Sequence, residues 1–203
     1  MKITEFLSFF PPVGFLFIVA FLSVKIWLLK KKGVQVRSGT PQSRKTRWIL
    51  YAVFAVLFAV WFFQVIKPVF RISLSVFPET VTNQLVDSVF LHISGAFLIL
   101  VSLVFLALTL VHFNTSLRFG LDKNNRGKLI TTGVFSFSRN PFFLSLNLYF
   151  WGIALILPSV FFIGFALLAV VSIHFFILKE EKFLRSVYGG NYKKYAKKVR
   201  RYF

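Results

Sequence analysis

The chain has 203 residues, 57% of them hydrophobic, with 29 phenylalanines, no cysteine and a formal net charge of +19. Apolar stretches at this density mark a membrane protein, and the length allows one helical bundle with no sizeable soluble domain. Without cysteine there are no disulfides, no thiol nucleophiles and no cysteine-ligated metals.

Five apolar segments follow one another, roughly Ser8 to Leu29, Trp48 to Ile66, Val89 to Phe113, Pro141 to Leu157 and Ser159 to Leu178. The first three are long enough to cross a hydrocarbon core of about 30 Å. The first has too long an apolar run for a signal peptide and no small-residue cleavage site after it. Pro11, Pro12 and Gly14 should kink or delay its helix. Between the first two segments, Lys30 to Arg47 reads as a flexible basic loop, broken by Gly33, Ser38, Gly39, Thr40 and Pro41. Only Pro158 separates the last two segments, so they should form a tight helical hairpin rather than one long helix. The expected fold class is therefore all-α, an integral membrane bundle of about five transmembrane helices. It carries a C-terminal hairpin and a cytoplasmic C-terminal helix. Residues 1–113 would supply three N-terminal spans and 114–203 a separate functional core.

Charge sets the topology. Lys30 to Arg47 carries seven basic residues and no acid, Asn114 to Arg139 five and one, and Lys179 to Phe203 nine and two. Lys67 to Ser88 balances two against two. The basic loops alternate, so the positive-inside rule puts the N-terminus outside and the C-terminus in the cytoplasm. Topology and attraction to anionic lipid account for the positive charge, and no nucleic-acid module accompanies it.

Two polar patches lie at membrane edges on the basic side. Asn140-Pro141 opens the fourth segment, where Asn is a good N-cap and Pro suits the first helical position. A helix N-terminus there, beside Arg139, makes an anion site. Ordinary capping and a topology-setting arginine explain the same residues. Glu180-Glu181 closes the fifth segment. Helical spacing puts Glu180 on an apolar stripe with Ile173, Phe176, Ile177 and Leu184, so it should face the bundle and need a partner. Arg139 is the obvious one; a bound cation with hydroxyl groups is the functional alternative. Phe135, Phe143 and Tyr149 add aromatic faces that stack on a flat ring or attract a sulfonium. S-adenosylmethionine suits such a place, but ATP, NADPH or a lipid headgroup meets the same coarse description. His92, His112 and His174 each stand alone near an apolar span, and no His/Asp/Glu cluster has metal-ligand spacing.

The run Lys128 to Phe135, continued by Ser138-Arg139-Asn140-Pro141-Phe142-Phe143, resembles the isoprenylcysteine carboxyl methyltransferases and related phospholipid methyltransferases, with their TxGxY and RHPxY (or RNP) patterns. Glu180-Glu181-Lys182-Phe183-Leu184, Tyr188-Gly189, Tyr192, Tyr195 and Val199-Arg200-Arg201 are similar to the family's EExxL and VRR ending. The resemblance covers roughly Gly127 to Tyr202. It implies an integral membrane enzyme without a Rossmann domain that takes S-adenosyl-L-methionine from the cytosolic side and a hydrophobic acceptor from the lipid. By position it implies that Lys128, Leu129, Ile130, Phe135, Asn140, Pro141, Phe142, Phe143 and Glu180 bind the cofactor, with Arg139 and Glu181 as catalytic support. Asn140 stands where His is more usual, Phe135 and Phe143 where Tyr is, and Ser145 where Gly is common. The resemblance favours a bacterial plasma membrane over endoplasmic reticulum. Two other readings fit the residues: an NADPH-dependent membrane reductase, and a non-catalytic lipid-binding protein that keeps the fold.

Overall fold

The computed structural model describes residues 3–34, 44–117 and 127–202. It is helical: α1 (Ile3–Leu7), α2 (Phe10–Lys31), α3 (Arg44–Ile66), α4 (Glu79–Thr82), α5 (Val89–Phe113), α6 (Pro141–Ile156) and α7 (Val160–Lys198), with a 3-10 turn at Gly133–Ser136 before α6. Most of the basic loop expected between Lys30 and Arg47 lies outside the described residues. The two N-terminal prolines delay the first long helix: α1 ends at Leu7, and α2 restarts with Pro11 and Pro12 in its first turn. There their missing N–H groups cost no helical hydrogen bond.

By length and composition Ile3–Lys31, Val89–His112 and Val160–Lys198 are able to cross a membrane, while Tyr51–Ile66 and Pro141–Ile156 are shorter apolar helices. Contacts at the ends show how all five are threaded. Arg71, after α3, pairs with Glu5 of α1 at 3.1 Å, and the Leu85 N–H donates to the Pro158 carbonyl at 2.7 Å. The N-terminus, the α3–α5 connection and the hairpin turn therefore share one face. The opposite, basic face gathers the approach to α6 and the end of α7. The protein is a multi-pass membrane protein.

The hairpin forms as its proline dictates. α6 ends at Ile156, and Ser159 caps α7, its hydroxyl accepting from the Phe162 N–H at 3.4 Å. α7 then runs 39 residues, far beyond what a bilayer needs, and bends at Gly189, where φ is 51°. That backbone conformation favours glycine. The tail beyond the bend turns Tyr192 and Tyr195 inward and leaves Lys193, Lys194, Lys197 and Lys198 exposed.

α5 and α6 form the tightest pair. A Cβ on Gly95 would stand 2.6 Å from the Gly152 carbonyl oxygen, and one on Gly152 would stand 2.8 Å from that of Gly95. Small residues let two backbones meet where lipid supplies no hydrophobic drive between helices. The Ser102 hydroxyl donates across the pair to the Ser145 carbonyl at 2.8 Å, and the Tyr149 hydroxyl donates to Pro11 at 2.7 Å. Ser145 thus contributes a small volume and a carbonyl to the crossing. Gly152→Val should force the helices apart at a cost of about 3 kcal/mol. Thermal unfolding in detergent checks this: an unchanged melting temperature would contradict the close crossing.

Candidate active site

The site is built where α6 begins and α7 leaves the apolar layer. Segment 127–140 runs along the tail of α7, and the two are stitched together. The Tyr195 hydroxyl donates to the Phe135 carbonyl at 2.6 Å, and the Tyr188 hydroxyl donates to the Gly127 carbonyl. Val134, Phe135, Tyr192 and Tyr195 are buried together, with Leu129 and Ile130 packed against them. Burial, the largest cause, pushes the Tyr192 phenol up to about 12, with the Glu181 charge adding to it.

Beyond α7, residues 199–202 fold back over the start of α6 as a strap. The Arg200 carbonyl accepts from the Arg139 N–H at 3.0 Å. The Arg201 carbonyl accepts from the Ser138 hydroxyl and from the Asn140 side-chain amide, both at 3.1 Å. Tyr202 closes the strap through its hydroxyl, 2.8 Å from His174 Nδ1.

At the centre sits Glu181, whose side chain is 3% exposed. Arg139 Nη2 donates to its Oε1 at 2.7 Å, while Arg201 donates through Nε to Oε1 and through Nη2 to Oε2, both at 3.0 Å. Arg139 Nη1 also donates to the carbonyls of Ala196 and Val199, at 2.7 and 3.0 Å. A guanidinium is suited to this, because its planar fork serves several acceptors at once and neutralises the carbonyl end of a helix. Burial draws the Glu181 carboxyl upward, but the hydrogen bonds from Arg201 and Arg139 outweigh it and hold the group below the usual carboxylate range.

Two expectations are corrected here. Arg139 pairs with Glu181 and not with Glu180. The helical turn places the two glutamates about 100° apart, which gives only one of them to the strap. Asn140 does occupy the N-cap position of α6, but its side chain makes no capping bond. Its amide is turned to the Arg201 carbonyl instead.

Glu180 is left differently placed. It is half-buried, with no ion-pair or hydrogen-bond partner among the described residues. Burial, reinforced by the adjacent Glu181 charge, pushes its carboxyl up to about 7. Its position follows from ring contacts between the hairpin arms. Phe143 meets Phe176 at 5.3 Å between ring centroids, and Phe150 meets Phe165 at 5.2 Å. Glu180 lies one turn beyond Phe176, at the level of the first turn of α6. Phe142 packs edge-on to Phe143 at 5.5 Å. Lys128 is exposed, and its N–H donates to the Ser116 hydroxyl at 3.1 Å.

The structure thus divides the expected residues into two groups. Lys128, Leu129, Ile130 and Phe135 border the tail of α7, with Phe135 and the two hydrophobic residues packed on its tyrosines. Asn140, Pro141, Phe142, Phe143 and Glu180 surround the start of α6, with Arg139 and Glu181 between the groups. Tyr149 lies away from both, buried against α2 and bonded to Pro11.

Sequence reasoning missed three features. Arg201 completes the Glu181 cluster. Tyr192 and Tyr195 close on the segment before α6. His112, whose Nδ1 donates to the Leu108 carbonyl at 2.7 Å, lies against Gly133, where a Cβ would stand 2.0 Å from the imidazole. With φ at 64° as well, that position requires glycine twice over. His92 simply bonds the Ser88 carbonyl one turn back, at 2.9 Å.

The described residues form an all-helical, multi-pass membrane protein with paired polar motifs at one membrane face. The profile of the phospholipid methyltransferase family matches residues 90–191, half of the chain, and the chain belongs to that family. The match runs from the start of α5 past the Gly189 bend. No curated protein and no solved structure matches the chain. Family membership makes this a membrane methyltransferase by descent.

Proposed function

We propose that the chain transfers a methyl group from S-adenosyl-L-methionine to an amphiphilic acceptor held in the bilayer, such as a lipid, a prenylcysteine-like carboxylate or a small hydrophobic molecule. The observation that carries this reading is Glu180. A half-buried carboxylate without a partner among the described residues, beside an aromatic pair and a helix N-terminus, is a receptor for a cation with an attached anion. The cofactor has both, in its ammonium and carboxylate, and supplies an electrophilic methyl on sulfonium. Glu180 would hold the ammonium, the N–H groups at the start of α6 the carboxylate, and Phe143 with Phe135 the flat or cationic parts. Lys128, Leu129, Ile130, Asn140, Pro141 and Phe142 would complete the walls.

Arg139 and Glu181 act as positioning residues in this reading. They hold the strap closed over the start of α6. The acceptor reaches the hairpin sideways from the lipid. Displacement at a methyl group depends mainly on alignment, so holding the two partners in line and keeping water out is the chain's chief contribution. The C-terminus lies in the cytoplasm, where the cofactor is made available.

A reductase using NADPH would need basic side chains for a 2′-phosphate, and Arg139 and Arg201 are both paired with Glu181. Titration with S-adenosylhomocysteine and with NADPH separates the two: the first should bind and the second should not, and the reverse would sink the reading.

The pH dependence follows from Glu180. Its carboxyl titrates near 7. Below that it is neutral and gives an ammonium little; above it is charged. Affinity for S-adenosylhomocysteine should therefore rise as pH is taken from about 6 to 8, with protons released on binding. Glu180→Gln should flatten that rise. An affinity independent of pH in the unaltered protein would contradict the assignment.

A further inference from the structure

The membrane face opposite the candidate active site carries an unusual residue where α3 ends. The Phe70 N–H donates to the Ile66 carbonyl and the Ile72 N–H to that of Lys67, both at 3.1 Å. A helix that ends this way places a left-handed residue just beyond its last turn, and that residue is usually glycine. Here it is Arg71, with φ at 51°. Its guanidinium is 80% exposed and donates through Nη2 to Glu5 Oε1 at 3.1 Å. An exposed ion pair contributes less than left-handed backbone costs a residue with a Cβ. The pair with Glu5 therefore does not by itself account for an arginine at this point. Glu5 stands one helical turn before Phe9, on the same face. Phe9 lines an apolar groove of about 270 Å³, with Phe6, Val13 and Phe17 on its own side and Leu100 and Leu103 of α5 on the other. All of these but Leu103 are exposed, so the groove is open to lipid. From Phe6 to Phe17 the helix rises about 16 Å, half of a hydrocarbon core of about 30 Å. The groove thus runs from the charged edge to the bilayer midplane, the reach of one acyl chain of that leaflet. An apolar cavity of about 150 Å³ already holds a benzene-sized guest, so this groove has room for a stretch of such a chain.

We propose that the groove between α1–α2 and α5 binds one phospholipid of the leaflet opposite the candidate active site, its acyl chain along the groove and its phosphate on Arg71. The charges are complementary. A guanidinium has five N–H donors in a planar fork, which serves two phosphate oxygens at once while one N–H stays on Glu5. Lys67, four residues before Arg71, is a second cation at this edge, with its ammonium donating to the Ser75 hydroxyl at 3.0 Å. Within lipid no hydrophobic drive holds a chain against the protein, so retention depends on the shape of the groove and on the charged tie at its mouth. A lipid seated there touches α1, α2 and α5 together and fastens the N-terminal helices to α5. The site lies across the membrane from the methyl-donor pocket and shares no residue with it, so it stands or falls independently of that reading.

The test uses the full chain, purified in detergent and stripped of lipid. The probes are phosphatidylcholine and diacylglycerol with the same acyl chains. Native mass spectrometry reads bound lipid, and thermal unfolding reads its effect. Phosphatidylcholine should be retained and should raise the melting temperature, while diacylglycerol, without a phosphate, should bind on the order of 10-fold more weakly. Arg71→Gly should lower the affinity for phosphatidylcholine by a similar factor. In detergent alone it should melt no lower than the unaltered protein, since glycine relieves the left-handed backbone. Leu100→Trp, which fills the groove, should weaken retention with Arg71 intact. Glu5→Gln, which breaks the ion pair and leaves the guanidinium, should keep it. Undiminished retention by Arg71→Gly or by Leu100→Trp would overturn the proposal. So would equal binding of diacylglycerol, or a loss in Glu5→Gln as large as in Arg71→Gly. A dimer that Leu100→Trp abolishes, with no lipid bound, would give the groove to a second copy of the chain and overturn it as well.

Discussion

Replacing Glu180 by glutamine is expected to weaken binding of S-adenosylhomocysteine by on the order of 100-fold and to reduce methyl transfer at least as much, while leaving the protein folded. The magnitude is that of a charge-assisted hydrogen bond in a place where water competes poorly. The unloaded protein should tolerate the change because Glu180 supports nothing else: no described residue pairs with it. Its raised carboxyl points the same way. A carboxylate pushed up by burial destabilises the empty protein once pH exceeds its ordinary range, so removing the charge should raise the melting temperature at neutral pH. Calorimetric titration and thermal unfolding on one preparation read both effects. Equal binding by Glu180→Gln and the unaltered protein would remove the residue on which the functional reading stands.

Arg139→Ala should have a different signature. It leaves Glu181 buried with Arg201 as its main remaining partner, and leaves the Ala196 and Val199 carbonyls without their guanidinium. Breaking a buried pair from one side costs about 3–5 kcal/mol. The loss should be local, because these contacts join the strap and the tail of α7 to the start of α6. Hydrogen exchange should accelerate from Tyr192 to Tyr202 while α5 and the apolar part of α7 stay protected. Arg139→Lys should rescue little, since an ammonium cannot serve the carboxylate and both carbonyls in the geometry that the planar fork fills. The sign of the acid response is fixed as well. Glu181 is held below its usual range. Its contribution is therefore complete above the ordinary carboxylate pKa and is lost as pH falls through the lowered value. Unaltered exchange in the tail of Arg139→Ala would show that the cluster does not hold the strap.

The architecture was readable because hydrophobicity and proline act locally. Apolar runs fixed the long helices, Pro158 the hairpin, and Pro11 with Pro12 the delayed start of α2. Loop charge indicated which ends lie together, and the ties between Arg139, Asn140 and residues 199–201 run across the face it indicated. Pairing was harder to read. Glu180 and Glu181 are neighbours in sequence, and stripe periodicity favoured burying Glu180. The deciding element was Arg201, twenty residues further on and returned to Glu181 only by the Gly189 bend and the strap. No helical period extends across that bend. Asn140 shows the same limit: an Asn before a Pro predicts a cap, yet a carbonyl from the far end of the chain took its amide.

The central claim is that the chain moves a methyl group from S-adenosylmethionine to a bilayer amphiphile through a pocket that depends on Glu180. Its most direct test is incubation of the membrane-reconstituted protein with methyl-labelled S-adenosylmethionine and a total lipid extract, in parallel with Glu180→Gln. Label should appear in a lipid-soluble product with the unaltered protein and be nearly absent with the variant. No transfer to any lipid, peptide or small thiol, from protein that remains folded, would contradict the account.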